Sequence, residues 1–169
     1  MLTEVKSSQS STLKGTPSGQ YMETRVYRNA EASAALPFGV PVKRTTAADD
    51  CLKCAAETDV IAGFVLRDEK YFAAIENTDD GLVAGATLTV MERGEMHLLC
   101  EVAMAMGDPV FIRVVVGAGE TYGAVRKTAD STDTVDCSGW AKVVKPGAAG
   151  STCVVKFDTL FAQSVASGA

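Results

Sequence analysis

The chain of 169 residues holds one histidine, His97, and one tryptophan, Trp140. A catalytic metal needs several imidazole or carboxylate ligands converging on one point, so a lone histidine on a strand weighs heavily against a metal enzyme. No Gly-x-Ser-x-Gly elbow accompanies His97, so no nucleophile of the Ser-His-Asp kind is marked. A Walker-type Gly-Lys-Ser/Thr is also missing, which excludes nucleotide hydrolysis of that kind. Gly117–Gly123 (GAGETYG) resembles a dinucleotide fingerprint only in its first glycines. Its spacing is wrong, and no helix follows whose N-terminus could hold a pyrophosphate. A hairpin tip is the better reading. No enzymatic activity and no cofactor are expected.

Other absences narrow the partners. The net charge is −5, and no stretch concentrates Lys or Arg. A sequence-independent grip on nucleic acid needs clustered cations that release counterions from phosphate, so nucleic acid is not an expected partner. No apolar run approaches the roughly 18 residues of a membrane-spanning helix, and no membrane partner is expected. The opening MLTEVKSSQSSTLKGTPSG lacks the apolar centre of a secretory leader, so synthesis and folding in a cytosol are expected. The five cysteines (Cys51, Cys54, Cys100, Cys137, Cys153) are odd in number. Reduced thiols in strand cores follow from that count in a reducing compartment. Cys51-x-x-Cys54 is half of a zinc pattern, but no second close pair completes four ligands. Asp130, Asp133 and Asp136 offer oxygens at regular spacing without the glycine and terminal glutamate of a calcium loop, so a solvated acidic loop is the default.

What is present is a β vocabulary. Gly, Ala, Val and Thr are abundant, and long runs of Glu, Lys, Leu and Arg are missing, which favours strands and turns. A chain of this length buries roughly two-thirds of its unfolded surface and needs no staple to hold a core. Residues 1–20 are polar and poor in apolar side chains. They read as a flexible arm, either a frayed terminus or a segment that orders on a partner. Residues 21–169 are expected to form a single all-β domain.

Within that domain, 21–28 reads as a first strand, and 29–35 as a short helical turn capped by Asn29 and stopped by Pro37. Phe38–Val42 reads as a strand, and Pro37 before it and Pro41 within it place it at a sheet edge. Val60–Leu66 is a continuous apolar run of buried-strand character. The period-two alternation of Gly85–Val116 is the clearest pattern in the chain. It predicts a hairpin whose turn is Glu92-Arg93-Gly94-Glu95, then a corner at Gly107-Asp108-Pro109 and a further strand. Trp140–Lys145 and Thr152–Phe157 form a second hairpin around Pro146–Gly150. Short strands with turn signals at close spacing point to a sandwich or barrel.

Several segments, in this order, resemble the structural cement, or head decoration, proteins of tailed bacteriophages. They are Arg25–Asn29, Leu36–Val42, Ile61–Phe64, and Val83–Ala86 leading into Leu88–Val90. Gly94-Glu95-Met96, Val102–Val110 with its Gly107-Asp108-Pro109-Val110, Trp140, and Gly150–Phe157 complete the series. The resemblance covers most of the chain beyond the arm. It implies a compact jelly-roll-like domain on the outer surface of the capsid, made in the host cytoplasm, that clamps neighbouring major capsid subunits. It also implies a homo-oligomer, dimer or trimer, with no catalytic residues. On that reading Leu2, Val5 and Leu13 of the arm and the Phe38 region meet the capsid. The Gly117–Tyr122 loop, with Tyr122, serves self-association or the capsid. A non-enzymatic β-sandwich ligand- or carbohydrate-binding module for host attachment is the alternative, weakened by a supply of one tryptophan and four tyrosines for sugar stacking. A small β hydrolase stands last, for want of motifs.

Overall fold

A computed structural model describes residues 14–19, 21–32, 35–47, 49–67 and 81–159. The strands are β1 (Glu23–Asn29), β2 (Pro41–Arg44), β3 (Asp50–Lys53), β4 (Gly63–Val65), β5 (Thr87–Leu99), β6 (Phe111–Arg113), β7 (Val125–Arg126), β8 (Thr134–Asp136), β9 (Ala141–Lys145) and β10 (Thr152–Asp158). They form a seven-stranded sheet in the order β1-β3-β2-β4-β5-β10-β9 and a three-stranded sheet in the order β7-β6-β8. The all-β expectation holds.

β5 organises both halves. On its N-terminal part it pairs with β1 and with β4, which closes the circuit β1-β3-β2-β4-β5 on itself. Every strand of that circuit sends a side chain into one buried cluster: Tyr27, Val42, Cys51, Val65, Leu88 and Val90, joined by Phe38 and Val40 from the turn before β2. On its C-terminal part β5 pairs with β10 from Arg93 to Leu99. There Met96 and Leu98 enter a second cluster, with Val143, Val155 and Phe157 of the same sheet and Ile112, Val125 and Val135 of the small sheet across from it. A closed barrel and an open sandwich thus share one strand. Closure removes the exposed sheet edges that invite aggregation.

One residue makes this sharing possible. Side chains alternate across a strand, so Leu88, Val90, Met96 and Leu98 would all lie on one face of a regular strand. The register against β1 pairs Thr24 with Met91 but Glu23 with Arg93, leaving Glu92 as an extra residue. Such a bulge inverts the alternation beyond it. Even-numbered positions therefore feed the barrel before Glu92 and the sandwich after it.

Three sequence expectations are corrected here. The predicted turn at Glu92–Glu95 is absent, and the chain runs straight through it as the middle of a strand of 13 residues. Gly94 has φ 145°, a backbone state that favours glycine, but it uses that freedom beside the bulge rather than to reverse direction. The strand entered by Pro41 is interior, paired with β3 on one side and β4 on the other. Its proline is tolerated because it stands at the first position of the strand. Asn29 ends β1 instead of capping a helix: its side chain donates to the Leu82 carbonyl at 2.9 Å and accepts the Glu31 amide at 3.0 Å.

The β9–β10 hairpin and the β1 strand lie where the sequence placed them. Within the expected arm, residues 14–19 run along the edge of β5. Gly15 and Ser18 donate to the His97 and Glu95 carbonyls at 2.8 Å each, and the His97 amide donates to Thr16 at 2.9 Å.

Candidate functional site

Buried charge is concentrated at two places. At the β5 bulge, Glu92 is only 5% exposed. The Tyr27 hydroxyl donates to its Oε1 at 2.9 Å, and Arg44 Nη2 reaches the same oxygen at 2.8 Å. Arg44 Nε in turn donates to the Tyr27 oxygen at 2.7 Å. Burial, and then the neighbouring carboxylate, push the Tyr27 hydroxyl above its ordinary pKa. A buried carboxylate survives only when its lone pairs are occupied, and here β1 and β2 supply the donors.

The second place is at the small sheet. The Arg113 side chain is fully buried and forms ion pairs with Glu101 (2.7 Å), Glu120 (3.0 Å) and Asp130 (2.6 Å). Arg126 shares Glu101 at 3.0 Å and Asp130 at 2.6 Å. Asp130, expected in a solvated acidic loop, is instead held by the Arg113 guanidinium, which draws its carboxyl below the ordinary aspartate range. Both constellations bind their own strands together. Among the described residues no group of three or more His, Cys, Asp or Glu is placed to hold a metal ion.

The cysteines are core residues. All five are buried and unbridged. Cys51 enters the barrel cluster and Cys54 the sandwich cluster. Burial pushes both thiols up to about 12, so neither is poised as a nucleophile or metal ligand. His97 lies on the outer face of β5, across from Val154. Partial burial, and then Lys145, hold its imidazole below the ordinary range, which keeps it neutral at pH 7.

The expected contact residues fall as follows. Leu2, Val5 and Leu13 lie outside the described residues. Phe38 is 2% exposed, with the Arg67 guanidinium 4.5 Å from its ring centre, so the ring itself offers no surface to a partner. Tyr122 packs against both buried clusters, and its hydroxyl donates toward the Pro41 and Cys54 carbonyls at 2.9 and 3.0 Å. That position ties barrel to sandwich from within, while the Gly117–Glu120 part of its loop stays at the surface.

A surface feature missed in the sequence is a groove of about 840 Å³ over the outer face of β5, β10 and β9. Tyr21, 62% exposed, stands at one side and Trp140 at the other. Lys142, Val144, Lys156 and Glu95 contribute to its lining. At one end Arg93 is bound to Asp158 and to Glu23. The cue in the sequence was Trp140, the single tryptophan, at the start of the second predicted hairpin. Its position beside two lysines depends on the β9–β10 register.

The geometry defines a class before it defines a family: an all-β scaffold in which, among the described residues, the buried Glu92 and Arg113 are engaged in holding strands together. The family comparison is specific. Residues 1–158 match the family described as structural cement protein (E217 gp24/Pam3 gp6), and the chain belongs to that family. A chain from the solved capsid of Myoviridae phage XM1 has the same fold, with a TM-score of 0.64 at 15% identity, over 93% of this chain and 97% of that one. No curated protein sequence matches. The role is therefore structural and capsid-associated.

Proposed function

We propose that this protein binds the outer surface of an assembled phage head and stabilises the contacts between major capsid subunits, without catalysis. The observation that carries this reading is the family match, which runs over the barrel, the sandwich and the segment before them. The physics of a cement agrees with it. A protein that binds only the assembled state stabilises that state by mass action, and many copies on one shell add their effects. Such a clamp needs a stiff body, and a strand common to two cores provides one.

The 13 residues before Lys14 are proposed as an arm that orders on the capsid, with Leu2, Val5 and Leu13 as its apolar contacts. Extended, such an arm reaches about 43 Å, enough to cross to a neighbouring subunit. The free chain is proposed to be a dimer or trimer, and its place is the exterior of the virion after synthesis in the host cytoplasm.

The test is co-sedimentation of the purified chain with expanded heads that lack it, followed by heating of the decorated and bare heads. Decorated heads should retain their contents to a higher temperature. If the chain stays in the supernatant, the cement role is rejected. Removing residues 1–13 should weaken binding to heads at unchanged melting temperature of the free chain; undiminished binding would reject the arm.

A further inference from the structure

The β9–β10 hairpin sets two cations against each other. Lys156 pairs with Lys142 directly across the strands, both on the outer face. Like charges directly opposite are unfavourable in a sheet. Among the described residues neither has an ion-pair partner. A bulge then follows: Val155 pairs with Val143 but Val154 with Lys145, so Val144 is extra. It swells into the groove between Lys142 and Lys145. On the far side of β10, the register sets Glu95 opposite Lys156 and His97 opposite Val154. The floor of the groove thus carries Lys142 and Lys156 against Glu95, on a chain whose net charge is −5. Arg93 and Asp158 at the groove's end neutralise each other.

The walls are of a different character. Trp140 is partly buried against the sandwich core, which fixes its ring as one wall. Tyr21 forms the other, held by a hydrogen bond from its hydroxyl to the Glu23 carboxylate. Aromatic anchors flanking a floor of Val144 and lysines combine the residues that dominate interaction hot spots with charge that selects the partner. The volume of about 840 Å³ falls in the range of sites that enclose side chains or a short segment.

We infer that this groove receives an extended, acidic segment of the major capsid subunit, with one apolar side chain seated between Trp140 and Tyr21 and carboxylates set on Lys142 and Lys156. The inference rests on the cement reading and deepens it by naming the surface. Charge complementarity decides the occupant. A neutral sugar would use the aromatic walls but has no need of two unpaired cations held in mutual repulsion. The cost of that repulsion is relieved when an anion arrives, so the lysine pair favours the bound state over the free one.

The experiment compares wild type, Lys142→Gln/Lys156→Gln and Lys142→Glu/Lys156→Glu in co-sedimentation with expanded heads lacking the chain, at low and high salt. The glutamine pair should melt no lower than wild type, because it removes a like-charge contact, yet bind heads about 10-fold more weakly. The glutamate pair should bind about 100-fold more weakly, and wild-type binding should fall as salt screens the rim.

Wild-type binding matched within twofold by both variants overturns the groove and leaves the cement role standing. Wild type that ignores the heads overturns both. Sedimentation velocity of the free chain separates a further occupant. Loss of self-association in the glutamate pair, with head binding intact, would give the groove to a second copy and overturn the inference. Glycan binding that is lost on Trp140→Ala but unchanged in the glutamine pair would likewise overturn it.

Discussion

The Tyr27 hydroxyl donates to the Glu92 carboxylate at 2.9 Å, joining β1 to the bulge of a strand 65 positions further along the chain. Because Arg44 donates to both groups, the three side chains form one closed polar unit. Tyr27→Phe removes the only oxygen that serves both partners. It should cost about 1–3 kcal/mol, the usual penalty for stranding buried hydrogen-bonding groups. At this chain length each kcal/mol is worth roughly 2–4 °C of melting temperature. A double-mutant cycle with Glu92→Gln should be strongly non-additive; independent effects would mean that the unit does not act as one.

Gly94 makes a sharper prediction about the strand that runs through it. A turn glycine in the ordinary left-handed region is replaced by asparagine at small cost. At φ 145° no side-chain-bearing residue is comfortable. Gly94→Ala and Gly94→Asn should therefore both destabilise, each by about 1–3 kcal/mol. Denaturant titration of the two variants decides the matter: an asparagine variant as stable as wild type would restore the hairpin turn.

The Asp130 carboxyl predicts an acid limb. Its folded pKa lies below the ordinary value of 3.8, chiefly because Arg113 donates to it. A depressed folded pKa gives stability that is complete above the unfolded value and is lost as pH falls through the folded one. Asp130→Asn should thus melt lower than wild type at pH 7, and the gap should narrow below about pH 4. Melting curves from pH 7 to pH 2.5 test this, and a gap independent of pH would assign the effect to packing.

The thiols should be silent in the folded protein. All five are buried, and burial holds Cys51 and Cys54 near 12. Ellman's reagent at pH 8 should titrate none in the native state and five after unfolding in guanidinium. A rapidly reacting native thiol would show that one of the two cores opens on the minute timescale.

Strand content was legible in the sequence because alternation is local. Leu88 and Val90, then Met96, Leu98 and Cys100, announce themselves two by two. That the chain runs straight through Gly94 was not legible, for a reason that lies elsewhere in the chain. Glu92-Arg93-Gly94-Glu95 has the composition of an exposed turn. Glu92 finds its partners on β1 and β2, and Arg93 finds Asp158 at the end of β10. Long-range partners convert a turn-like tetrapeptide into the middle of a strand, and no local window contains them. Arg113 is a similar case: a charged residue in a short strand is the centre of three ion pairs whose partners lie outside that strand. Of the surface groove, the sequence displayed Trp140 but not the opposed lysines. Lys142 and Lys156 meet through a register that a bulge at Val144 resets.

The strand shared by barrel and sandwich has a mechanical consequence. β5 is laddered to β1 over its first half and to β10 over its second, antiparallel in both cases. Antiparallel hydrogen bonds lie across the strand direction. A pull along β5 therefore loads each ladder in shear, and its bonds must fail together. A pull at right angles would peel them one after another. A body built this way resists tension along one axis far better than along the other. If, as proposed, the protein clamps neighbouring capsid subunits and β5 lies along the line joining them, the shell's outward strain falls on the stiff axis of every copy.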